Sequence, residues 1–163
     1  PLKDFRRIAE AMVEVGAAGL DNAGVVESVR QRIGALIVQT IVPARMPLPV
    51  ITFDPELEAL LAQAVRAGPQ ALYPFEPALS NRLISAVRDA VQPLLMAARS
   101  VAVVTAPAIR PAVARLLRAQ MAELPVLSVL EIPETKTIDV IAIVGGSNGP
   151  AAALTDVSDE ERS

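Results

Sequence analysis

A chain of 163 residues, 52% of them hydrophobic, is long enough for one ordinary domain or two small ones and too apolar to be mostly disordered. It contains no Cys and no His, which excludes disulfides, thiol and Ser-His-Asp catalysis, and the commonest zinc, haem and iron–sulfur ligand sets. The net charge of −3 argues against broad nucleic-acid binding, and Asp156, Asp159, Glu160 and Glu161 against Arg162 carry all of it, leaving the rest of the chain balanced.

Residues 2–42 hold two helical patterns. In the first, Phe5, Ile8, Ala9, Met12 and Val13 recur at spacings of three and four, and Gly16 and Gly19 end it. Asp21 and Asn22 are caps for the second, whose stripe is Val25, Val26, Val29, Ile33, Leu36 and Ile37. Two helices alone bury little, so this hairpin has to lean on something else. Pro43, Pro47 and Pro49 break the pattern. A β-rich run follows at 48–52. Asp54-Pro55-Glu56 then starts a helix with Leu57, Leu60, Leu61, Ala64 and Val65 inward, and Gly68-Pro69 stops it. A loop with Tyr73 and Phe75 leads into a long helix from Pro77 to about Ala98, with a kink or break expected at Pro93. Residues 101–105 read as a buried strand, 107–121 as a helix, and 125–129 and 138–144 as two further strands.

With 2% aromatics and no Trp, the core is aliphatic. The fold class is α+β (α/β-type). A helical hairpin subdomain over residues 1–46 precedes a small domain over 47–146, with a roughly four-stranded sheet and three helices. Residues 147–163 form an acidic tail expected to be disordered. Pro93, Arg99 and Pro107 interrupt the most apolar stretch, so no segment reads as a membrane span. The chain opens inside an amphipathic pattern and is expected to be a fragment of something longer.

Three stretches in this order carry a family pattern: Leu48-Pro49-Val50-Ile51-Thr52-Phe53-Asp54-Pro55-Glu56-Leu57-Glu58, then Ile109-Arg110-Pro111-Ala112-Val113-Ala114-Arg115-Leu116-Leu117, then Leu124-Pro125-Val126-Leu127-Ser128-Val129-Leu130-Glu131-Ile132-Pro133. Together they resemble the C-terminal cytoplasmic region of the FlhA/SctV export-gate family of type III secretion. Phe5 to Ala11, Val29-Arg30 and Ile37-Val38-Gln39 look like the helical subdomain before it, and Ile143-Val144-Gly145-Gly146 is closer to the flagellar members. The chain departs from the pattern at Ala106, where a Ser would cap the next helix unless Thr105 substitutes. It departs again at Val129 and Leu130, where an aromatic or polar residue is common, and in its longer acidic tail.

The resemblance implies a bacterial inner-membrane protein of which this is a cytoplasmic piece, non-enzymatic and without cofactor or metal. Its implied partners are export chaperones and their cargo, components of the secretion ATPase complex, and neighbouring copies in a nonameric ring. The injectisome homologue is the alternative within the family. The isolated chain is expected to be a monomer in dilute solution. A stand-alone metal-dependent α/β enzyme is the alternative outside the family. A helical nucleic-acid module at residues 2–42 is disfavoured by its mixed charges.

The candidate contact residues are Arg110, Arg115 and Arg118, a stretch without acids that could receive an acidic partner or the chain's own acidic tail. Arg115 and Arg118 share a face by their spacing of three. The plainer alternative is a solvated helix face. Tyr73 and Phe75 are either an exposed docking spot or a plug over the core. Glu131, Glu134 and Asp139 could in principle bind a hard metal, or simply charge a turn. Glu56 and Glu58 read as charges favouring a helix N-terminus.

Overall fold

The computed structural model describes residues 21–69 and 71–145, together with Arg6, Ile8, Ala9, Glu10, Met12 and Val13, which are helical. The helix end expected at Gly16 and Gly19 and the acidic tail lie outside the described residues. In chain order the elements are α1 (Asn22–Arg32), α2 (Gly34–Ile41), β1 (Leu48–Phe53), α3 (Pro55–Ala67), α4 (Pro77–Met96), β2 (Ala102–Thr105), α5 (Arg110–Arg118), β3 (Val126–Ser128), a short 3-10 turn (Val129–Glu131) and β4 (Ile138–Val144).

The four strands form one sheet in the order β3-β2-β1-β4, and every pairing is parallel. A parallel sheet needs cover on both faces, which is why its central strands read as unbroken apolar runs. Alternate β1 side chains go to opposite sides. Ile51 and Phe53 join Leu61, Val87, Val91, Val113 and Leu117 in the core under α3, α4 and α5. Leu48 and Val50 join Val38, Val42, Ala102, Val104 and Leu127 under α2. The second helical pattern therefore leans on the sheet itself. Its inward stripe runs through Ile37, Val38, Ile41 and Val42, while Val26 of the expected stripe is exposed.

The second helical pattern is split in two at Ile33. Asp21 caps α1 by accepting the Gly24 N–H at 2.8 Å. At the head of α2, a Cβ on Gly34 would lie 2.0 Å from the Glu131 carbonyl oxygen. Only glycine lets the helix approach the turn after β3 that closely. Asp54 caps α3 through the Leu57 N–H at 2.7 Å, with Pro55 in the first turn. α4 continues through Pro93 to Met96, so the proline does not break it. The helix expected over 107–121 is shorter, with turns at 107–109 and 119–120 flanking α5.

Gly145 follows β4 at a φ of 102°, and a Cβ there would sit 2.8 Å from Leu57 Cδ2. Both the left-handed backbone and the close approach to α3 require glycine. None of the helices among the described residues is long and apolar enough to cross a membrane.

Candidate functional site: a cleft at the β3 edge

Glu27 and Arg30 stand three apart on α1 and so share a face. That face meets two residues from the sheet domain. Arg30 donates from Nε to Glu131 Oε1 at 3.2 Å and from Nη2 to Oε2 at 2.8 Å, a two-pronged pair. Arg110, at the head of α5, donates from Nε to Glu27 Oε2 at 2.7 Å and from Nη2 to Glu27 Oε1. Its Nε also lies 3.8 Å from Glu131 Oε1. Glu131 accepts the Ser128 N–H at 3.3 Å as well. The Glu131 side chain is 0% exposed and that of Arg110 8%, so the carboxylate exchanges water entirely for protein partners. Two cations and two anions make the cluster neutral, which permits burial without a counterion.

Beside this cluster opens a cleft of about 770 Å³. α2, the C-terminal end of α4, α5 and the start of β3 surround it. Ile41, Leu95, Met121 and Leu124 supply apolar walls. Arg30 also donates to the Val126 carbonyl at 3.4 Å, which occupies part of the outer edge of β3. The floor cations, Arg30 and Arg110, are paired. The rim cations, Arg99 and Arg118, are exposed and have no ion pair among the described residues.

The three arginines of α5 go three ways. Arg110, Ala114 and Arg118 line the cleft, as a spacing of four places them on one helix face. Arg110 is buried on Glu27, which removes it from any solvated basic patch. Arg115 points elsewhere and donates to the Leu72 carbonyl at 2.5 Å, holding the loop before α4. Arg118 alone of the three stays exposed. In that loop Phe75 is buried in the core with Leu83 and Val87, so it plugs the domain and is closed to partners. Tyr73 is 62% exposed.

The expected acidic turn is also corrected. Glu131 is interior, whereas Glu134 and Asp139 are exposed, and no group of carboxylates among the described residues could hold a metal. Glu58 reaches beyond its own helix and accepts the Ala106 N–H at 2.7 Å. Thr105 does not cap α5, whose N-cap is Ile109 with no side-chain cap; its hydroxyl donates to the Ala106 carbonyl at 3.3 Å. The Ser128 hydroxyl is buried without a partner among the described residues. Val129 and Leu130 are exposed apolar residues on the 3-10 turn. Arg6 donates to Glu10 at 2.7 Å. Its pKa is raised above the ordinary value, by that hydrogen bond first and the carboxylate charge second.

The fold recurs in solved structures. CdsV of Chlamydia pneumoniae superposes with a TM-score of 0.76 at 22% identity, over 88% of this chain and 41% of that one. MxiA of Shigella flexneri gives 0.70 at 22% identity, over 86% and 44%. A nonameric SctV-C assembly from EPEC gives 0.74 at 21% identity, over 88% and 43%. This chain therefore spans less than half the length of the structures it resembles. No curated protein matches its sequence significantly. The FHIPEP family model aligns with residues 1–137, which takes in the hairpin, the sheet up to the start of β4 and every residue of the buried charge cluster. By that match the chain belongs to the FHIPEP family.

Proposed function

We propose that this chain is an assembly and docking part of a type III protein export gate, of the flagellar kind. It acts by presenting surfaces rather than by catalysis. The family match over residues 1–137 carries the reading. Two likenesses support it: the nonameric SctV-C assembly, and a complex of CdsV with CdsO at a TM-score of 0.76. In this reading the gate is held in the bacterial inner membrane by another part of the protein, and this piece faces the cytoplasm. Neighbouring copies, export chaperones with their cargo and components of the secretion ATPase complex are its partners.

The helical hairpin over residues 1–46 is proposed as the unit that meets a neighbouring subunit or subdomain. The sheet domain over 47–146 is proposed to present the cleft. Arg118 and Tyr73 are the sequence-derived contact residues still exposed for such partners. Arg115 contributes through the loop it holds.

Deleting the gene in its own bacterium and measuring secreted flagellar proteins tests the proposal. Loss of flagellin and hook export, with restoration by the intact gene, is the expected result. Normal motility with loss of injectisome secretion would assign the chain to the other branch, which the SctV-C likeness favours. Unchanged secretion of both kinds would remove the export reading.

A further inference from the structure

The cleft and the acid-rich end of the chain are complementary. The floor charges of the cleft cancel within the Glu27, Arg30, Arg110 and Glu131 cluster, so its unpaired positive charge belongs to Arg99 and Arg118 at the rim. Glu123 is the only acidic residue among the described residues that line it. The sequence concentrates its whole negative excess at Asp156, Asp159, Glu160 and Glu161, and sets Leu154 and Val157 among them. That segment offers carboxylates to a cationic rim and apolar side chains to Leu95, Met121 and Leu124.

Reach permits the contact. β4 ends at Val144, and Asp156 follows twelve residues later, a stretch that spans up to about 40 Å when extended. The outer strands of a four-stranded sheet lie about 15 Å apart, so the path from the β4 edge to the β3 edge is within range even on a diagonal course.

We propose that residues 154–161 dock in the β3-edge cleft of their own chain. Their carboxylates face Arg99 and Arg118, and Leu154 and Val157 lie on the apolar walls. Two exposed ion pairs bind weakly between separate molecules. A tether raises the effective concentration to about the millimolar range, which populates the docked state. The tail then acts as a resident competitor, and any acidic, partly apolar segment of another protein has to displace it. This inference does not depend on the export-gate reading.

The chain has no Cys, so Ser158→Cys gives a single site for a nitroxide label on the full-length protein. Paramagnetic broadening of backbone amides in an isotope-labelled sample then maps the position of the tail. The proposal predicts broadening centred on residues 99–101 and 118–127. It also predicts loss of that pattern in the Arg99→Glu/Arg118→Glu variant and at about 0.5 M salt, where charges are screened within a few Å. Both arginines are exposed, and an unchanged circular dichroism spectrum confirms that the variant is folded. Broadening centred elsewhere, or spread evenly over the surface, overturns the proposal. So does a cleft pattern that survives both the charge reversal and the salt. A second sample mixes unlabelled-spin, isotope-labelled chains with spin-labelled chains lacking the isotope. Cleft broadening of equal strength there would mean that the tail docks on another copy, which also overturns docking within one chain.

Discussion

Glu131 ties α1 to the turn after β3 and to the head of α5. Its carboxylate lies inside the fold with Arg30 on one side and Arg110 on the other. Removing its charge leaves the half-buried Arg30 without its carboxylate and the buried Arg110 with Glu27 alone. Breaking a buried ion pair by removing one partner costs about 3–5 kcal/mol. Glu131→Gln keeps the shape and loses the charge, so urea unfolding should show a loss of about 3 kcal/mol, and a change within experimental error would mean that the cluster contributes nothing. Gly34 gives a test whose sign is informative. On an open helix, Gly→Ala stabilises by about 1 kcal/mol. Here the added Cβ meets the Glu131 carbonyl oxygen at 2.0 Å, and overpacking costs about 1–3 kcal/mol or more. Gly34→Ala is therefore expected to destabilise, and a stabilised variant in the same urea assay would disprove the close approach. Neither residue stands out in the sequence. Glu131 sits in an acid-and-proline turn that looks solvated, and Gly34 sits in a helical stripe whose partner is 97 positions away. Long-range partners of this kind leave no mark on local spacing. The nearest signal is the pair Glu27 and Arg30, set three apart on one face of the helix.

At the scale of elements, local physics carried most of the assignment. The Asp54-Pro55 start of α3 and the span of β4 follow from caps and β-branched runs, and the structure places them there. Two details differ from that assignment where contacts across the fold come in: the second helical pattern is split at Ile33, just before Gly34 packs on the turn after β3, and α5 is shorter at both ends than the expected helix. α4 runs on through Pro93 within the span its apolar spacing predicts. The basic residues of α5 show the same limit. Periodicity puts Arg115 with Arg118, but which face is interior depends on where Glu27 and the Leu72 carbonyl lie. Arg115→Ala is expected to speed amide hydrogen exchange in the loop over residues 71–76 while changing global stability by less than about 1 kcal/mol. Uniform protection across that loop would show that its carbonyl contact is dispensable. Glu58→Ala should leave the Ala106 N–H without its acceptor and cost about 1–3 kcal/mol in the same unfolding measurement, whereas a helix-dipole role alone would cost under about 1 kcal/mol.

For the whole molecule, the sheet is covered on one face by α3, α4 and α5 and on the other by α2, and the charge cluster fastens α1 to the turn after β3 and the head of α5. That arrangement joins α1 and α2 to the sheet, with the cleft beside the charge cluster. Its parallel order was not legible in the sequence, since strand lengths and apolar runs do not specify which strands are neighbours. The family was legible, because an ordered set of three stretches survives where each alone is only a strand, a turn or a cap. The chain spans 41–44% of the structures it resembles, so a ring interface is expected to need more than this piece. Light scattering should find a monomer at micromolar concentration, and a stable high-order oligomer would show that these two units already close the assembly. The role of the chain in a protein export gate can be measured by deleting its gene and following flagellar protein secretion. Flagellin and hook proteins should stay inside the cell, and the intact gene should restore their release. Undiminished secretion and full motility in the deletion strain would contradict it.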